Sequence, residues 1–451
     1  MGPRQPGTSP DSTSGRFVQA EHSRLRLVST ALIDISPLRE SRSFRLLWFG
    51  QLVSLTGTQL RLVAIPYQIY LLTGSSLDVG LIGLFQAIPL ISLALFGGVI
   101  ADRVDRRRLL IVTQIGLAAC SAGLAIGTQL GFANVLYLYA FTAIGAAFSA
   151  LDGPARGALT PSLVQREQLP AAMALNQVLF QTASIAGPAM AGVVILTFGV
   201  AGAYWIDVVS FIVAIAAVTA LVAPPREVRI HLPVGRALVE GLSHFRANRI
   251  LFGTMLLDFL ATFFGSPRAL FPFYADRVFA VGPEGLGLLF AAPGVGSLIA
   301  ALTSGWAKRV QRQGVAVLLA VAAWGLAIAA FGLMNDGLFI PALVFIAVAQ
   351  GADTISAIFR STILLTVVPD HLRGRLVAIS SMFFLGGPYL GQVESGVVAD
   401  VVSPAFSVVS GGIATLLSVV GVALWAPEVV SYRSGAQGEG APAVGPSAKE
   451  S

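Results

Sequence analysis

Histidine, lysine and cysteine are nearly missing from this 451-residue chain, and charge of either sign is scarce. The one cysteine, Cys120, falls inside an apolar stretch, so no disulfide can form within the chain. The four histidines, His22, His231, His244 and His371, lie in unrelated loops, which argues against a metal site. There are two lysines and no phosphate loop ending in Gly-Lys-Ser/Thr, so ATP is not the energy source and ion gradients remain. No cofactor is expected. Charged residues make up 12% of the chain, against roughly 25% in soluble domains. The first 43 residues are polar and Arg-rich and lack an apolar core, so no cleavable signal peptide is expected.

What is abundant is apolar length. Hydrophobic residues reach 55%, arranged in stretches of 20-odd residues from Leu46 to Trp425 with short basic loops between them. A hydrocarbon layer of roughly 30 Å needs about 20 such residues per helix. The stretches predict spans at 45–72, 79–101, 109–130, 135–159, 171–198, 201–223, 250–275, 285–307, 315–333, 338–364, 377–400 and 404–426. The fold class is therefore an all-α polytopic membrane protein with twelve transmembrane helices. Residues 1–43 read as a disordered and then interfacial lead-in, with Pro37 breaking the amphipathic part, and 427–451 as a disordered tail. Residues 224–249 form a central hydrophilic loop between two six-helix bundles, 44–223 and 250–426.

Of the 29 Lys and Arg residues, only Arg277 falls on the side opposite the rest, and Arg61, Arg156, Arg268 and Arg360 lie within spans. The positive-inside rule then puts both termini in the cytoplasm. Trp48, Trp205, Trp306 and Trp425 fall at span ends, as an aromatic belt requires. Net charge of +6 beside spans points to anionic lipid headgroups and not to nucleic acid. A monomer is expected.

The two halves echo each other. ADRVDRR at 101–107 returns as AKRVQRQ at 307–313, and Arg61 with Tyr67 returns as Arg268 with Tyr274. Pro161 and Pro369 each precede a basic loop, and Gly187-Pro188 matches Gly387-Pro388. A register of roughly 200 residues describes parallel repeats and hence two pseudo-symmetric bundles.

GGVIADRVDRRRLL, from Gly97 to Leu110, resembles the loop 2–3 signature of the major facilitator superfamily, matched at Gly98, Asp102, Arg103, Arg106 and Arg107. The usual glycine between its basic groups is replaced by Asp105. The segments SPLRESRSFRLLWFGQ, DGPARGALTPSLV and VPDHLRGR resemble its drug and siderophore exporter branch. The resemblance covers residues 36–426. It implies that Asp102 stabilises the outward-open state through the other half and span 4, with Arg156 as a counterpart there. These basic residues also enforce topology whatever their part in gating. Gly187-Pro188 followed by Ala191-Gly192 resembles the glycine-proline motif of superfamily antiporters.

Charges within spans carry the transport reading, because each needs a partner or water. Arg61, Asp152, Asp258 and Asp353 lie well away from both interfaces, Arg268 sits in the outer half of span 7, and Arg156 and Arg360 lie near inner ends. They belong to spans 1, 4, 7 and 10, which in the superfamily line the central cavity. Arg61, Asp258, Arg268, Phe264 and Tyr274 are the candidate cavity residues, in an aromatic-rich span 7 that suits a ring-bearing or anionic ligand. The rival reading is a set of structural ion pairs, above all for Asp152 and Arg156, four residues apart on one helix. Proton coupling needs a carboxylate in a cavity, for which the candidates are Asp353, Asp258, Glu394 and Asp152. Asp207 and Asp400, near outer span ends, are expected to meet water. The residues thus predict a secondary active transporter for a small molecule, and the resemblance implies a proton-driven exporter of a siderophore or similar amphiphile. A broad multidrug or macrolide pump is the nearest alternative, an uptake symporter a remote one. An intramembrane enzyme lacks its nucleophile and base.

Overall fold

The computed structural model describes residues 2, 34–221, 245, 248–368 and 370–434. The side chains of 94–103, 370–375, 377–379, 381, 382 and 385 fall outside that description, and so do those of Asp102 and Arg103 in the expected gate. The reading of 1–33, most of the central loop and the last residues of the tail lies outside it too.

The described chain is helical throughout. In order come α1 (Arg42–Thr73), α2 (Ser76–Arg103), α3 (Arg106–Gln129) and α4 (Val135–Leu159). The helix Leu169–Thr219 is two arms joined at Gly199, whose φ of 70° only glycine adopts freely, and these arms are α5 and α6. After the central loop come α7 (Arg249–Phe264), α8 (Gly282–Thr303), α9 (Gln313–Gly332), α10 (Phe339–Val367), α11 (Asp370–Val401) and α12 (Pro404–Trp425). Nine helices among the described residues are long and apolar enough to cross a membrane, one of them being the Leu169–Thr219 pair. Helices α1 and α11 are also long enough, but Gln51, Gln59, Arg61 and Gln68 dilute the first, and Arg373, Arg375, Gln392 and Glu394 the second.

Capping explains several ends. Asp105 accepts a hydrogen bond from the Arg108 amide at 2.8 Å and so caps α3. Arg106 donates to the Ala158 carbonyl at the end of α4, and Arg107 to the Val218 carbonyl at the end of α6, where cations offset the helix dipole. These two gate candidates therefore hold the first half together. Pro37 starts the short helix Ser36–Glu40 and does not break one.

Helices α1–α6 pack mainly on one another, as do α7–α12. The halves meet along two seams, α2 against α11 and α5 against α8. Both seams are built on glycine, which lets backbones approach. A Cβ on Gly80 would lie 2.5 Å from the Gln392 carbonyl, and one on Gly287 2.6 Å from the Pro188 carbonyl. On the face away from the termini, the Tyr70 hydroxyl donates to Asp276 across the halves at 2.8 Å. Toward the terminal face, Gly153 and Gly157 of α4 look onto open space. Trp205, Trp306 and Trp425 are exposed at helix ends, whereas Trp324 is buried.

Candidate transport site

Each half carries its own network of charged side chains, and each network is tied to its own helices. In the first half, Arg61 of α1 lies 3.5 Å from Asp207 of α6 and donates to Ser121 of α3 at 3.1 Å. Ser121 in turn donates to Asp207 at 2.6 Å. The Phe211 ring lies 6.0 Å from the guanidinium, and Gly57 leaves room for Asp207 and Ser210 against α1. Arg61 thus sits among α1, α3 and α6 as a helix-locking ion pair, a correction to its expected place in the cavity. Asp207, expected to meet water, is fully buried. Its position seven residues inside α6 was the signal for that.

Also in the first half, Asp152 and Arg156 pair along one face of α4 at 2.5 Å, and Thr113 of α3 donates to the other carboxylate oxygen at 2.9 Å. Here, too, the ion pair lies wholly within the first half. Arg156 keeps one buried nitrogen, Nη1, without a partner.

The second half is arranged differently. Arg360 of α10 lies 2.6 Å from Asp258 of α7 and 3.5 Å from Asp353 on its own helix. Ser356 accepts from Arg360 at 3.0 Å, and Gln350 donates to Asp353 at 2.8 Å. One guanidinium therefore serves two carboxylates. Glu394 of α11 is half-buried, and its Oε2 has no partner. Among the described residues it has no ion pair.

Helix α7 breaks where the sequence reading carried span 7 straight through. Pro267 lacks an amide proton and pushes Ser266 out of the helical region, so α7 stops at Phe264 and a short 3-10 turn, Pro267–Leu270, follows. Arg268 sits on that turn, exposed although its neighbours Pro267, Ala269 and Leu270 are buried. Among the described residues no carboxylate comes within ion-pair distance of it, but Asp353 and Tyr389 lie within electrostatic reach. The turn packs against α2 of the other half and α11 of its own. Interrupted helices of this kind line binding sites in transporters.

The aromatics of span 7 divide. Phe259 stacks on Phe263 at 5.9 Å, and Phe263 meets Phe264 edge-on at 5.0 Å, all three partly exposed. Tyr274, expected in the cavity, is 1% exposed and packs on Phe331 of α9 at 4.7 Å. It belongs to the core of the second half, which corrects that expectation.

Comparison with known proteins fits this architecture. A family model described as a transmembrane secretion effector matches residues 33–435. The chain belongs to that family. The enterobactin exporter EntS of Shigella boydii serotype 18 is 29% identical over 395 residues, covering 87% of this chain and 93% of the exporter. EntS of Escherichia coli O1:K1 is 28% identical over the same shares. A bacterial homologue of the iron transporter ferroportin superposes with a TM-score of 0.67 at 15% identity, covering 86% of this chain and 99% of that one. A D-xylose–proton symporter gives 0.66 at 15%, covering 86% and 98%. These structures share the major facilitator fold. The chain is accordingly a membrane transporter and not an enzyme, a multi-pass protein of the bacterial inner membrane.

Proposed function

We propose that the protein is a proton-driven exporter that moves a siderophore, or a similar amphiphilic small molecule, out of the cytoplasm by alternating access. The observation that carries this reading is the likeness to enterobactin exporters along 87% of the chain. The basic loops put the terminal face in the cytoplasm. The seam contacts and the Tyr70–Asp276 hydrogen bond then close the periplasmic side, and the open space beside Gly153 and Gly157 faces inward. In this reading substrate enters between the halves from the cytoplasm and meets Arg268 beside Phe264.

Among the proton-coupling candidates, Asp152, Asp258 and Asp353 are held by arginines, so their protonation would disturb an ion pair. Glu394 has no such partner among the described residues. It can gain and lose a proton without breaking one, and it is the group we assign to carry the coupled proton. The test uses everted vesicles with a pH-sensitive dye and added siderophore. Substrate-dependent proton release is expected from the unmodified protein and lost in Glu394→Gln. Release that persists in Glu394→Gln but vanishes in Asp353→Asn or Asp258→Asn would move the assignment to the arginine-bound pair. Absence of release from the unmodified protein would remove proton coupling altogether.

A further inference from the structure

We propose that Arg268 is a binding site for an organic anion, a carboxylate or phenolate, and that Asp353 is the internal carboxylate an incoming ligand must outbid for it. The inference rests on the transport reading and names the chemistry its cavity recognises.

Three observations converge. First, Arg268 is the one in-span arginine with no carboxylate within ion-pair distance among the described residues, whereas Arg61, Arg156 and Arg360 each hold one. A guanidinium left exposed on a helix break, in the far half of its span, needs an anion or water to satisfy it. Second, the charge around it is balanced in an unequal way. Asp258 and Asp353 share Arg360, but Asp258 takes the 2.6 Å contact and Asp353 is left at 3.5 Å. Asp353 is held closely by the Gln350 amide but by Arg360 only at 3.5 Å, and Arg268, with Tyr389 also near it, is the other cation within electrostatic reach. Third, the site stands at the junction of the halves, since the Arg268 turn touches α2 of the first half and α11 of the second. An anion there would be gripped by the element that changes neighbours when the halves rock.

The arrangement makes a prediction of definite sign. Here Asp353→Asn removes the competitor while Gln350 and the Asp258–Arg360 contact stay in place, so anion binding should tighten. A purely structural Asp353 would give weaker binding or none.

The test uses the full chain in lipid nanodiscs, with 2-naphthoate and its uncharged analogue 2-naphthamide measured by equilibrium dialysis. The unmodified protein should prefer the anion by about tenfold, the order expected for one partly solvated cation in contact. Arg268→Gln should abolish the preference and Arg268→Lys keep part of it. Asp353→Asn should bind 2-naphthoate about three- to tenfold more tightly, with 2-naphthamide unaffected. Equal binding of the two probes by the unmodified protein would overturn the proposal, as would an Asp353→Asn variant that binds the anion no better. Because dialysis needs neither proton movement nor turnover, failure of proton coupling in vesicles would leave this result standing, and the two can be told apart.

Discussion

The ion pair between Arg61 and Asp207 can be tested in a way that separates locking from transport. Both side chains are under a tenth exposed and 3.5 Å apart, bridged by Ser121. At that distance, with an effective dielectric of about 20, the attraction is about 5 kcal/mol, most of it spent on desolvating the two groups. Asp207→Asn leaves the Arg61 guanidinium buried without a counter-charge, and the loss should be about 3–5 kcal/mol. Arg61→Gln should cost somewhat less, because Asp207 keeps Ser121 and Ser210 as donors. In Arg61→Gln/Asp207→Asn no charge is left stranded, so the double variant should be more stable than Asp207→Asn alone. Stability is read by reversible denaturant titration in mixed micelles, and transport by vesicle export of the same variants. Recovery of stability together with export would establish that the pair locks α1 to α6. Additive losses in the double variant would refute the reasoning, and restored stability without export would return Arg61 to the substrate path.

Other expectations follow from single contacts. Asp105→Ala should cost about 1 kcal/mol of stability by uncapping α3, whereas Asp105→Gly, which restores the residue usual in the superfamily signature, should cost a few tenths. Thermal unfolding of the two variants side by side decides between them. Gly287→Ala should impair export, because the new methyl would press on the Pro188 carbonyl at the α5–α8 seam, while Gly305→Ala, which meets nothing within 4 Å, should be silent. Tyr70→Phe removes the hydrogen bonds to Asp276 and Arg277 and should favour opening of the face away from the termini by about 1–2 kcal/mol, or about five- to thirtyfold. Spin-label distances between the far ends of α1 and α7 report that shift.

The apolar run from Val135 to Leu159 predicts α4 to the residue, and most other spans fall within a few positions. That is what a bilayer-length pattern should deliver, since every backbone group must be satisfied inside its own helix. Two features escaped it. The stop at Gly265-Ser266-Pro267 was written in the chain, yet the hydrophobic run continues through it, and a count of apolar residues does not register a break. The pairing of Arg61 with Asp207 joins residues far apart in sequence, and depth along a helix does not say which neighbour a side chain meets. For the same reason Tyr274 read as a cavity residue, although its ring is packed on Phe331. Arg268 was legible as a cation in an aromatic span, but its lack of an ion pair among the described residues emerged only from packing.

Under the proposed alternating access, the placement of the ion pairs also says what must break. Arg61–Asp207 and Asp152–Arg156 lie wholly within the first half, and Arg360 with its two carboxylates wholly within the second. Rocking the halves as rigid bodies leaves all of them intact, so these ion pairs contribute nothing to the difference between the two states. What must be surrendered is the pair of hydrogen bonds that Tyr70 makes with Asp276 and Arg277, the Gln181 donation to the Gly294 carbonyl and the glycine seams. These three hydrogen bonds amount to about 1.5–4.5 kcal/mol, small enough for ligand binding to tip the balance. Tyr70→Phe/Gln181→Leu should therefore shift the spin-label distances further than either change alone. Arg61→Gln/Asp207→Asn should leave those distances where they are, despite altering a far stronger interaction. A shift in that variant would mean that the first half does not move as one body.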